Sequence, residues 1–414
     1  MSENDSLAIL MAMARKKAAI SSAFTPSAPI DNATLFSGRT RQIGQLTNAV
    51  FQKGQHAILY GERGVGKTSL ARVLKDFLKG IGTGQGSSDT PWFLIGSTNC
   101  EGASTFQSIW TALFRDIKYN RQLLMGFSSQ KKEETGCLLD YCPEPKTAED
   151  IRQFLEELAQ PLIFVIDEFD QLRKQGVRKA VADTIKTLSD RAVNATIIVV
   201  GVADSVTELL AEHVSIERAL VQIQMPRMSP DELKEIVDKG LKSAEMTADD
   251  GARGRIADLS QGLPHYTHLL TLHAGQSAVD NDRIEVTLDD VEVAINLAVE
   301  QAQQSIVRGY ITATISRRGN LYSQVLTACA RTEKDELGYF SASSVRDPMS
   351  KIMGKDYDIP AFSQHLKEFC TKERGNILQR TGFPRRYRFR FTNPLMEPYV
   401  VMKGITKGFI PQAG

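Results

Sequence analysis

Short runs of apolar residues alternate with longer stretches of helical periodicity over residues 35–226. The runs at 56–60 (HAILY), 92–96 (WFLIG), 162–167 (LIFVID) and 196–201 (TIIVVG) are continuous and rich in branched residues. Strands that are buried on both faces of a parallel sheet have this composition. Strands that alternate with helices favour the same arrangement. The pattern therefore predicts a parallel α/β domain over residues 35–226.

Polar segments precede or interrupt these runs. Residues 80–91 and 128–147 have the composition of surface loops, and residues 21–33 have that of a linker. The first 20 residues begin acidic and turn basic after their apolar part, which is the reverse of a secretory signal. They predict a short amphipathic helix on a flexible arm, used for packing or subunit contact rather than for a membrane. We therefore treat residues 1–34 as an arm and linker.

Residues 227–304 have helical periodicity throughout and predict a helical lid. Pro226 and Pro230 mark the change in pattern. The segment SPDEL is typical of a helix start, with Ser229 as the cap and Pro230 in the first turn.

Residues 305–414 predict a winged-helix domain, in which three helices precede a β-hairpin. The helices are expected at 322–330, 341–354 and 359–375. Arginine and aromatic residues alternate around a Gly-Phe-Pro turn at 377–391, which is typical of a hairpin. The predicted fold class is α/β, with a parallel sheet, a helical lid and a C-terminal winged helix.

The segment GERGVGKT at 61–68 fits the pattern G-x-x-x-x-G-K-[ST] of a phosphate-binding loop, and it follows a predicted strand and opens a predicted helix. Its glycines let backbone N–H groups point at phosphate, and the helix start adds partial positive charge. Lys67 can reach the β- and γ-phosphates of ATP, and Thr68 can offer its hydroxyl to Mg²⁺. The residues expected to bind nucleotide are Gly61, Glu62, Arg63, Gly64, Val65, Gly66, Lys67, Thr68 and Ser69.

Acidic residues end the predicted strand at 162–167. Asp167 is expected to bind Mg²⁺ through water, and Glu168 is expected to orient or deprotonate the attacking water. Asp170 is expected to cap a helix. With the phosphate loop, these residues predict an ATPase that uses ATP and Mg²⁺.

Two further positions are candidates for contact with the γ-phosphate. Asp204, or else Ser205, follows the run at 196–201 and is expected to contact the γ-phosphate or the attacking water, with a turn or capping role as the alternative. Arg218 precedes another short apolar run and is a candidate arginine finger for a neighbouring subunit's nucleotide or its own. A surface salt bridge is the alternative for Arg218.

These motifs, in this order, resemble the AAA+ and STAND P-loop ATPases, nearest to the clade that includes replication initiators of the origin-recognition type. FSGR at 36–39 looks like the family's F-x-G-R motif, which lies near the adenine. GERGVGKTSL and FVIDEFD match the two Walker motifs. The resemblance runs from about Leu35 to the C-terminus, and it implies an AAA+-like fold that binds ATP and Mg²⁺.

The lid departs from the motor ATPases that it resembles. Those enzymes often carry a sensor arginine near the position of His265, whereas STAND switches carry a G-x-P element whose proline packs against the base and sugar. Gly262-Leu263-Pro264 is similar to that element, which implies that Pro264 contacts nucleotide, and a plain helix start is the alternative. Without an arginine charge at the γ-phosphate, we expect slow hydrolysis and a two-state switch set by the bound nucleotide.

Charge is divided unevenly along a chain whose net charge is only +1. Residues 301–414 carry 18 Lys and Arg against 9 Asp and Glu, and the first 300 residues carry 32 against 40. A basic C-terminal part favours an acidic partner, nucleic acid first. The five cysteines form no CxxC pair and no run reaches the ~20 apolar residues that span a bilayer, so we expect a cytoplasmic protein with no membrane partner.

Two roles are open for the winged helix. In the first, the helix at 359–375 lies in a groove of duplex DNA and the wing arginines hold phosphates. The residues expected to contact DNA are Lys367, Lys372, Arg374, Arg385, Arg386 and Arg388. In the second, which the resemblance to STAND proteins implies, the winged helix folds onto the nucleotide domain and holds it inactive, or binds a partner protein.

The sequence therefore predicts an ATP-binding, slowly hydrolysing switch whose nucleotide state controls self-assembly and a basic winged helix. One output is DNA work, such as initiation, loading or the choice of a transposition target. A second is signalling or defence without DNA binding, and a third is a weakly hydrolysing motor. The expected partners are further copies of the chain in the ATP state, duplex DNA and a separate effector protein.

Overall fold

A five-stranded parallel sheet lies at the centre of the protein. The computed structural model describes residues 3–30, 32–82, 93–124, 131–142, 144–158, 160–203, 206, 214–316, 321–384 and 386–411. Its first seven strands are β1 (His56–Gly61), β2 (Leu94–Asn99), β3 (Lys118–Leu124), β4 (Lys131–Cys137), β5 (Leu162–Asp167), β6 (Ala195–Val202) and β7 (Leu220–Gln224). The sheet has the order β2-β5-β6-β1-β7 with every pair parallel. The four strands predicted from apolar runs are confirmed, with small shifts at their ends.

Helices cover both faces of the sheet, and this is why its inner strands β5 and β6 are almost entirely apolar. The first six helices are α1 (Glu3–Ala23), α2 (Thr40–Phe51), α3 (Lys67–Gly82), α4 (Phe106–Asp116), α5 (Ala148–Glu156) and α6 (Gln175–Asp190). On β5, Ile163 and Val165 pack in one core with α2 and α3, whereas Phe164 and Ile166 pack in another with α4, α5 and α6. Side chains alternate between faces along a strand, so a strand covered on both faces is apolar at every position.

A hairpin occupies part of a segment that the sequence predicts to be a loop. β3 and β4 pair antiparallel, with Lys118 opposite Cys137 and Leu124 opposite Lys131. The loop prediction for 128–147 is therefore wrong over β4. A two-stranded ribbon outside the central sheet is held by backbone hydrogen bonds, and the run KKEETGC carries no hydrophobic alternation that would reveal it. Most of the loop predicted at 80–91 lies outside the described residues.

The lid consists of helices, as predicted. These are α7 (Pro230–Ser243), α8 (Asp250–Ser260), α9 (Pro264–Asp280) and α10 (Leu288–Glu300), with a short parallel pair between β8 (Thr247–Ala248) and β9 (Glu285–Val286). The predicted start of α7 is confirmed. The Ser229 hydroxyl accepts from the Glu232 N–H at 3.3 Å, and the Glu232 carboxylate accepts from the Ser229 N–H at 2.8 Å.

The N-terminal helix packs on the lid. Two lid glycines leave room for its last turn and for Phe24, which follows it. A Cβ on Gly275 would lie 3.3 Å from Ile20, and one on Gly240 would lie 2.2 Å from the Phe24 ring. Ile20 and Phe24 are fully buried as a result. The C-terminal end of α1 is therefore anchored, and the prediction of a flexible arm is wrong for this part of the chain.

Residues 305–414, which we call the C-terminal module, combine helices with a small antiparallel sheet. Its elements are α11 (Gln304–Thr314), α12 (Tyr322–Arg331), β10 (Phe340–Ser341), α13 (Arg346–Met353), α14 (Ile359–Glu368), β11 (Leu378–Thr381), β12 (Arg388–Phe391) and α15 (Met396–Thr406). The sheet has the order β10-β12-β11. Phe389 and Phe391 of β12 are buried in the core. Helix α15 packs against α8 and α10, so the module lies on the lid.

Candidate nucleotide-binding site

The carboxyl ends of the parallel strands open into a cavity of about 980 Å³. The loop between β1 and α3 forms part of its wall. Gly61, Gly64 and Gly66 have φ of 148°, 88° and 91°, which favour glycine. A Cβ on Gly61 would lie 2.4 Å from the Met225 carbonyl oxygen, so that site has no room for a side chain. The loop has the backbone shape that directs N–H groups at phosphate.

Lys67 is buried within this loop, with 8% of its surface exposed. Its Nζ donates to the Gly61 carbonyl at 3.0 Å and to the Glu62 carbonyl at 2.6 Å. Burial lowers the pKa of Lys67 to about 8, although the nearby Asp170, Asp167 and Glu62 carboxylates act in the opposite direction. An amine with so little water around it is suited to an anionic ligand such as a phosphate.

The acidic residues predicted to hold Mg²⁺ and water line the same cavity as the loop. Asp167 ends β5, and Glu168 follows it with a φ of 53°. The Glu168 N–H donates to Asp167 Oδ1 at 2.7 Å. Thr68, in the first turn of α3, lines the cavity with them. Within the described residues no group of three or more His, Cys, Asp or Glu could hold a metal, so Mg²⁺ here would need phosphate and water oxygens besides these side chains.

Asp170 links the turn after β5 to the end of β6 and does not cap a helix. Its Oδ1 accepts from the Val202 N–H at the end of β6 at 2.8 Å, and its Oδ2 accepts from Gln171 Nε2 at 2.8 Å. Helix α6 begins only at Gln175. The capping prediction is wrong, because the sequence does not reveal that the end of β6 presents an N–H to this carboxylate.

The lid meets the phosphate loop at the start of α9. Gly262 has a φ of 79°, and Pro264 is the first residue of the helix. A Cβ on Gly66 would lie 3.8 Å from Pro264 Cγ, so the proline is at once a helix start and a wall of the cavity. His265 Nδ1 is 2.8 Å from the Pro26 carbonyl oxygen, and burial lowers the pKa of His265. His265 is therefore neutral at pH 7 and brings no positive charge to the site.

The N-terminal segment 25–30 forms a further wall of the cavity. The Ile30 N–H donates to Ser69 Oγ at 3.2 Å, and the Pro26 carbonyl contacts His265 on the lid. The linker prediction for 21–33 is wrong over these residues. The prolines of TPSAPI are typical of a linker, and only contacts with residues far along the chain show that the segment is fixed in place.

The F-x-G-R motif links the same parts of the site. Phe36 lines the cavity, and Arg39 is 4% exposed. Arg39 Nη2 donates to the Val65 carbonyl of the loop at 3.1 Å and to the Pro226 carbonyl at 2.6 Å. Its guanidinium therefore holds the phosphate loop against the segment that leads into the lid.

A buried ionic cluster of Glu62, Arg227, Lys334 and Glu397 joins the phosphate loop to the C-terminal module. Arg227 Nε lies 2.7 Å from the Glu62 carboxylate and its Nη1 lies 2.9 Å from that of Glu397, and Lys334 Nζ lies 2.8 Å from Glu397. Each of the four side chains is at most 13% exposed. Burial acts to lower the pKa of Arg227, but Glu397 and Glu62 outweigh it and raise the pKa. Removal of one partner would leave an uncompensated buried charge.

Close packing accompanies the ionic cluster. A Cβ on Gly338 would lie 2.1 Å from Glu62 Oε1, and one on Gly64 would lie 3.2 Å from Leu395 Cδ2. The Tyr266 hydroxyl of the lid donates to the Leu395 carbonyl at 2.7 Å. Residues 390–395 line the cavity. The C-terminal module thus lies directly on the phosphate loop, which the sequence does not reveal because the contacting residues are far apart along the chain.

The two remaining γ-phosphate candidates have different outcomes. Asp204 and Ser205 lie outside the described residues. Arg218 precedes β7 at the amino end of the parallel strands, opposite the cavity, and its 77% exposed side chain pairs with Asp190 at 2.6 Å. This placement separates Arg218 from its own chain's site, and a role at a neighbouring subunit's nucleotide stays a prediction.

Arg374, predicted to contact DNA, is used inside the C-terminal module. Its guanidinium lies 3.6 Å from the centre of the Tyr322 ring. It also donates to the Ala313 carbonyl at 3.3 Å and the Ile315 carbonyl at 2.6 Å, at the end of α11. These contacts give Arg374 a structural role that its place in a basic run does not indicate.

The other residues predicted to contact DNA differ in whether their side chains are exposed or paired within the module. Arg388 donates to Asp335 at 2.6 Å. Lys367, Lys372 and Arg386 are exposed. Arg385 lies outside the described residues.

The parallel sheet with its glycine loop and buried lysine, together with the helical lid, defines a P-loop ATPase of the AAA+/STAND type. The predicted resemblance and fold class are confirmed. The model of the novel STAND NTPase 1 family (nSTAND1) matches residues 23–302, more than half of the chain. The chain therefore belongs to that family.

Several solved structures are similar to this chain. Cdc6p from Pyrobaculum aerophilum is 15% identical, covers 94% of this chain and 99% of its own, and superposes with a TM-score of 0.45. The Aeropyrum pernix ORC2 protein, in ADPNP–ADP complexes, is 14% identical over 90% of this chain and 95% of its own, with a TM-score of 0.46. A Walker-type ATPase of Pyrococcus abyssi is 16% identical over 90% and 98%, with a TM-score of 0.48.

No curated protein matches the chain. Within the part of the chain that the structure describes, none of the helices combines the length and the apolar character that crossing a membrane requires.

Proposed function

We propose that the protein is an ATP-binding, slowly hydrolysing switch whose nucleotide state decides whether the C-terminal module stays on the phosphate loop. The ionic cluster carries this proposal. Glu62 belongs to the loop that would surround the phosphates, and through Arg227 it is tied to Glu397 of the C-terminal module. A change in the loop on binding ATP would therefore act on the contact with the module, which is how a ligand biases a two-state element.

The phosphate chemistry is assigned to the residues that line the cavity. The loop amides and Lys67 would hold the β- and γ-phosphates, and Thr68 and Asp167 would hold Mg²⁺. Mg²⁺ supplies, when bound, positive charge that offsets the charge on the phosphate oxygens. Glu168, at the end of the same strand as Asp167, would orient a water and accept its proton.

Slow hydrolysis is expected from the charges of the site. Among the described residues, those of the lid that line the cavity are Met228, Ile236, Pro264, His265 and His268. None of these carries the permanent charge that a sensor arginine would bring to the γ-phosphate. A γ-phosphate that lacks a cation from the lid reacts more slowly, since charge stabilisation is the main source of catalysis in phosphoryl transfer.

Self-assembly would follow release of the C-terminal module. Gly338 and Leu395 lie against Glu62 and Gly64, so the module blocks the approach of another subunit to this side of the loop. The docked form is then the resting state, and the ATP-bound, released form would associate and recruit a separate effector protein. A cytoplasmic location belongs to the proposal, because all five cysteines are free thiols, as is typical of a reducing compartment.

Glu397→Gln tests the proposal. The substitution keeps the size of the side chain but leaves Arg227 and Lys334 with one carboxylate fewer, and breaking a buried pair in this way costs about 3–5 kcal/mol. We expect the nucleotide-free variant to show a larger radius of gyration in X-ray scattering and faster amide exchange at residues 61–66. The unaltered protein should reach the same state only with ATP.

Two further variants complete this test. Gly338→Ala acts on the same contact by steric clash with Glu62 and should produce the same release. Glu336→Gln removes an exposed carboxylate of the same module and should have no effect. If both Glu397→Gln and Gly338→Ala stay as compact as the unaltered protein, the ionic cluster does not hold the module.

DNA binding by the C-terminal module is the second candidate function. Lys367 on α14, Lys372 on the following turn and Arg386 in the hairpin connection are exposed cations in the segment that the winged-helix prediction places on DNA. Phosphate contacts of this kind would make retention on DNA steeply dependent on salt.

A further inference from the structure

His268 of helix α9 has an unusual environment. Its side chain is 5% exposed and lines the cavity. Its ring packs against that of Phe24 in a T-shaped arrangement, with ring centres 5.7 Å apart. Neither ring nitrogen has a hydrogen-bond partner among the described residues. Burying polar atoms without partners is unfavourable, so the two nitrogens indicate a ligand that is bound through this side chain.

The place of His268 along α9 separates it from the phosphates. Pro264 starts the helix beside Gly66 of the phosphate loop. His268 follows four residues later, which is about 6 Å along the helix axis. The cavity residues Phe36 and Ile236 are apolar. A nucleotide with its phosphates in the glycine loop would therefore extend its uncharged part towards this end of the cavity.

The charge of His268 suits an uncharged ligand group. Burial, with a smaller contribution from His265, lowers the pKa of His268 to about 4. The ring is neutral at pH 7 and offers one N–H donor and one nitrogen acceptor. A neutral imidazole adds no charge for phosphate, but it can pair with the nitrogens and the amino group of a purine.

We infer that His268 hydrogen-bonds the adenine base of bound ATP and contributes directly to recognition of the base. The inference rests on the proposed function, because it requires ATP phosphates in the glycine loop. It adds the residue that contacts the base, an assignment that the loop motif does not make. A contact with the ribose hydroxyls instead would be a different outcome, which the experiment below distinguishes.

The test is a coupling measurement by calorimetry on the full chain. His268→Phe keeps an aromatic ring against Phe24 but cannot hydrogen-bond, and we expect it to bind ATP about tenfold more weakly, as for one lost hydrogen bond. Both proteins are titrated with ATP and with analogues that lack in turn the 6-amino group, N1, N3, N7 and the 2′-hydroxyl. At least one of the four base analogues should lose affinity in the unaltered protein and not in the variant.

Control variants separate this contact from packing. His273 is buried on the same helix but does not line the cavity, so His273→Phe should leave ATP affinity unchanged. His268→Gln restores a donor and an acceptor and should recover part of the affinity. His268→Leu replaces the phenylalanine variant if thermal unfolding shows that the larger ring is not tolerated.

The outcomes distinguish this inference from the proposed function. An unaltered protein that binds no ATP would overturn the proposed function itself. If the unaltered protein binds ATP, and every base analogue loses as much affinity in the His268 variant as in the unaltered protein, the base contact is wrong. A penalty that disappears only for the 2′-deoxy nucleotide would assign His268 to the ribose and would also overturn the inference.

Discussion

Lys67 is a buried cation, and its ionisation is coupled to the ligand. In the free protein its pKa is about 8, below the ordinary value of 10.5. The unfolded chain therefore holds the extra proton between these pH values, and the contribution of Lys67 to stability rises with pH across that window. A bound triphosphate favours the charged amine, so ATP affinity should fall as the pH rises across the same window.

We predict that ATP binding takes up a proton at pH 9 and weakens from pH 8 to pH 10. Calorimetric titrations in two buffers of different ionisation enthalpy measure the uptake directly. Lys67→Arg stays charged and should show no uptake from this position, whereas Lys67→Ala should lose ATP binding because the buried amine that would hold the β- and γ-phosphates is gone. Affinity that is constant from pH 8 to pH 10 in the unaltered protein would contradict the role given to Lys67.

Local motifs predict some residues of the site and not others. The phosphate loop is a contiguous run whose glycines and lysine follow from backbone geometry, so the sequence alone indicates it. Arg227 contacts Glu62 and Glu397, which are 165 and 170 positions away along the chain. Contacts at such separations depend on how the lid and the C-terminal module pack, and no local pattern encodes them.

Among the elements, strands of the buried sheet were predictable and the ribbon β3–β4 was not. A strand covered on both faces is apolar at nearly every position, whereas a two-stranded ribbon has no such constraint. The hairpin β11–β12 lies between these cases. Its alternation reflects buried Phe389 and Phe391, but the same alternation leaves open whether the arginines between them face DNA or their own module.

Substitutions of the basic residues of the C-terminal module should have two kinds of effect, one on DNA binding and one on stability. Lys367, Lys372 and Arg386 changed together to Ala should weaken retention of duplex DNA in low salt, because three exposed phosphate contacts are lost. Arg374→Ala should instead lower stability by about 1–3 kcal/mol, since it removes hydrogen bonds and a ring contact inside the module. Mobility shifts and thermal unfolding measure the two effects.

Two results would contradict this division. Unchanged DNA retention in the triple variant would favour the module as a regulatory or partner-binding element without DNA contact. Normal stability of Arg374→Ala, combined with loss of DNA retention, would return Arg374 to the DNA-contacting group.

At the scale of the whole molecule, docking and association compete for one surface. The module lies on the loop through Gly338, Leu395 and the ionic cluster, so the compact form should be monomeric. We predict that particle mass measured by light scattering increases with ATP and not with ADP. In Glu168→Gln the increase in mass should last longer after ATP is added. The substitution removes the carboxylate that would activate water, so ATP is hydrolysed more slowly.

Particle mass should also be measured with duplex DNA present, together with the ATPase rate. Stimulation of either quantity by DNA would support the DNA-working output of the switch. No response to DNA, with ADP retained through purification, would support the signalling output. Association that is as strong with ADP as with ATP would contradict control by the bound nucleotide.

The wall formed by residues 25–30 has a practical consequence for protein engineering. A shortened protein that starts at Phe36 would contain each Walker motif and the whole sheet, and by its motifs it would pass for an intact ATPase. It would nevertheless lack the Ile30 bond to Ser69 and the Pro26 bond to His265, leaving one side of the cavity open to solvent. The smallest fragment that retains this side of the nucleotide chamber must therefore begin no later than Thr25.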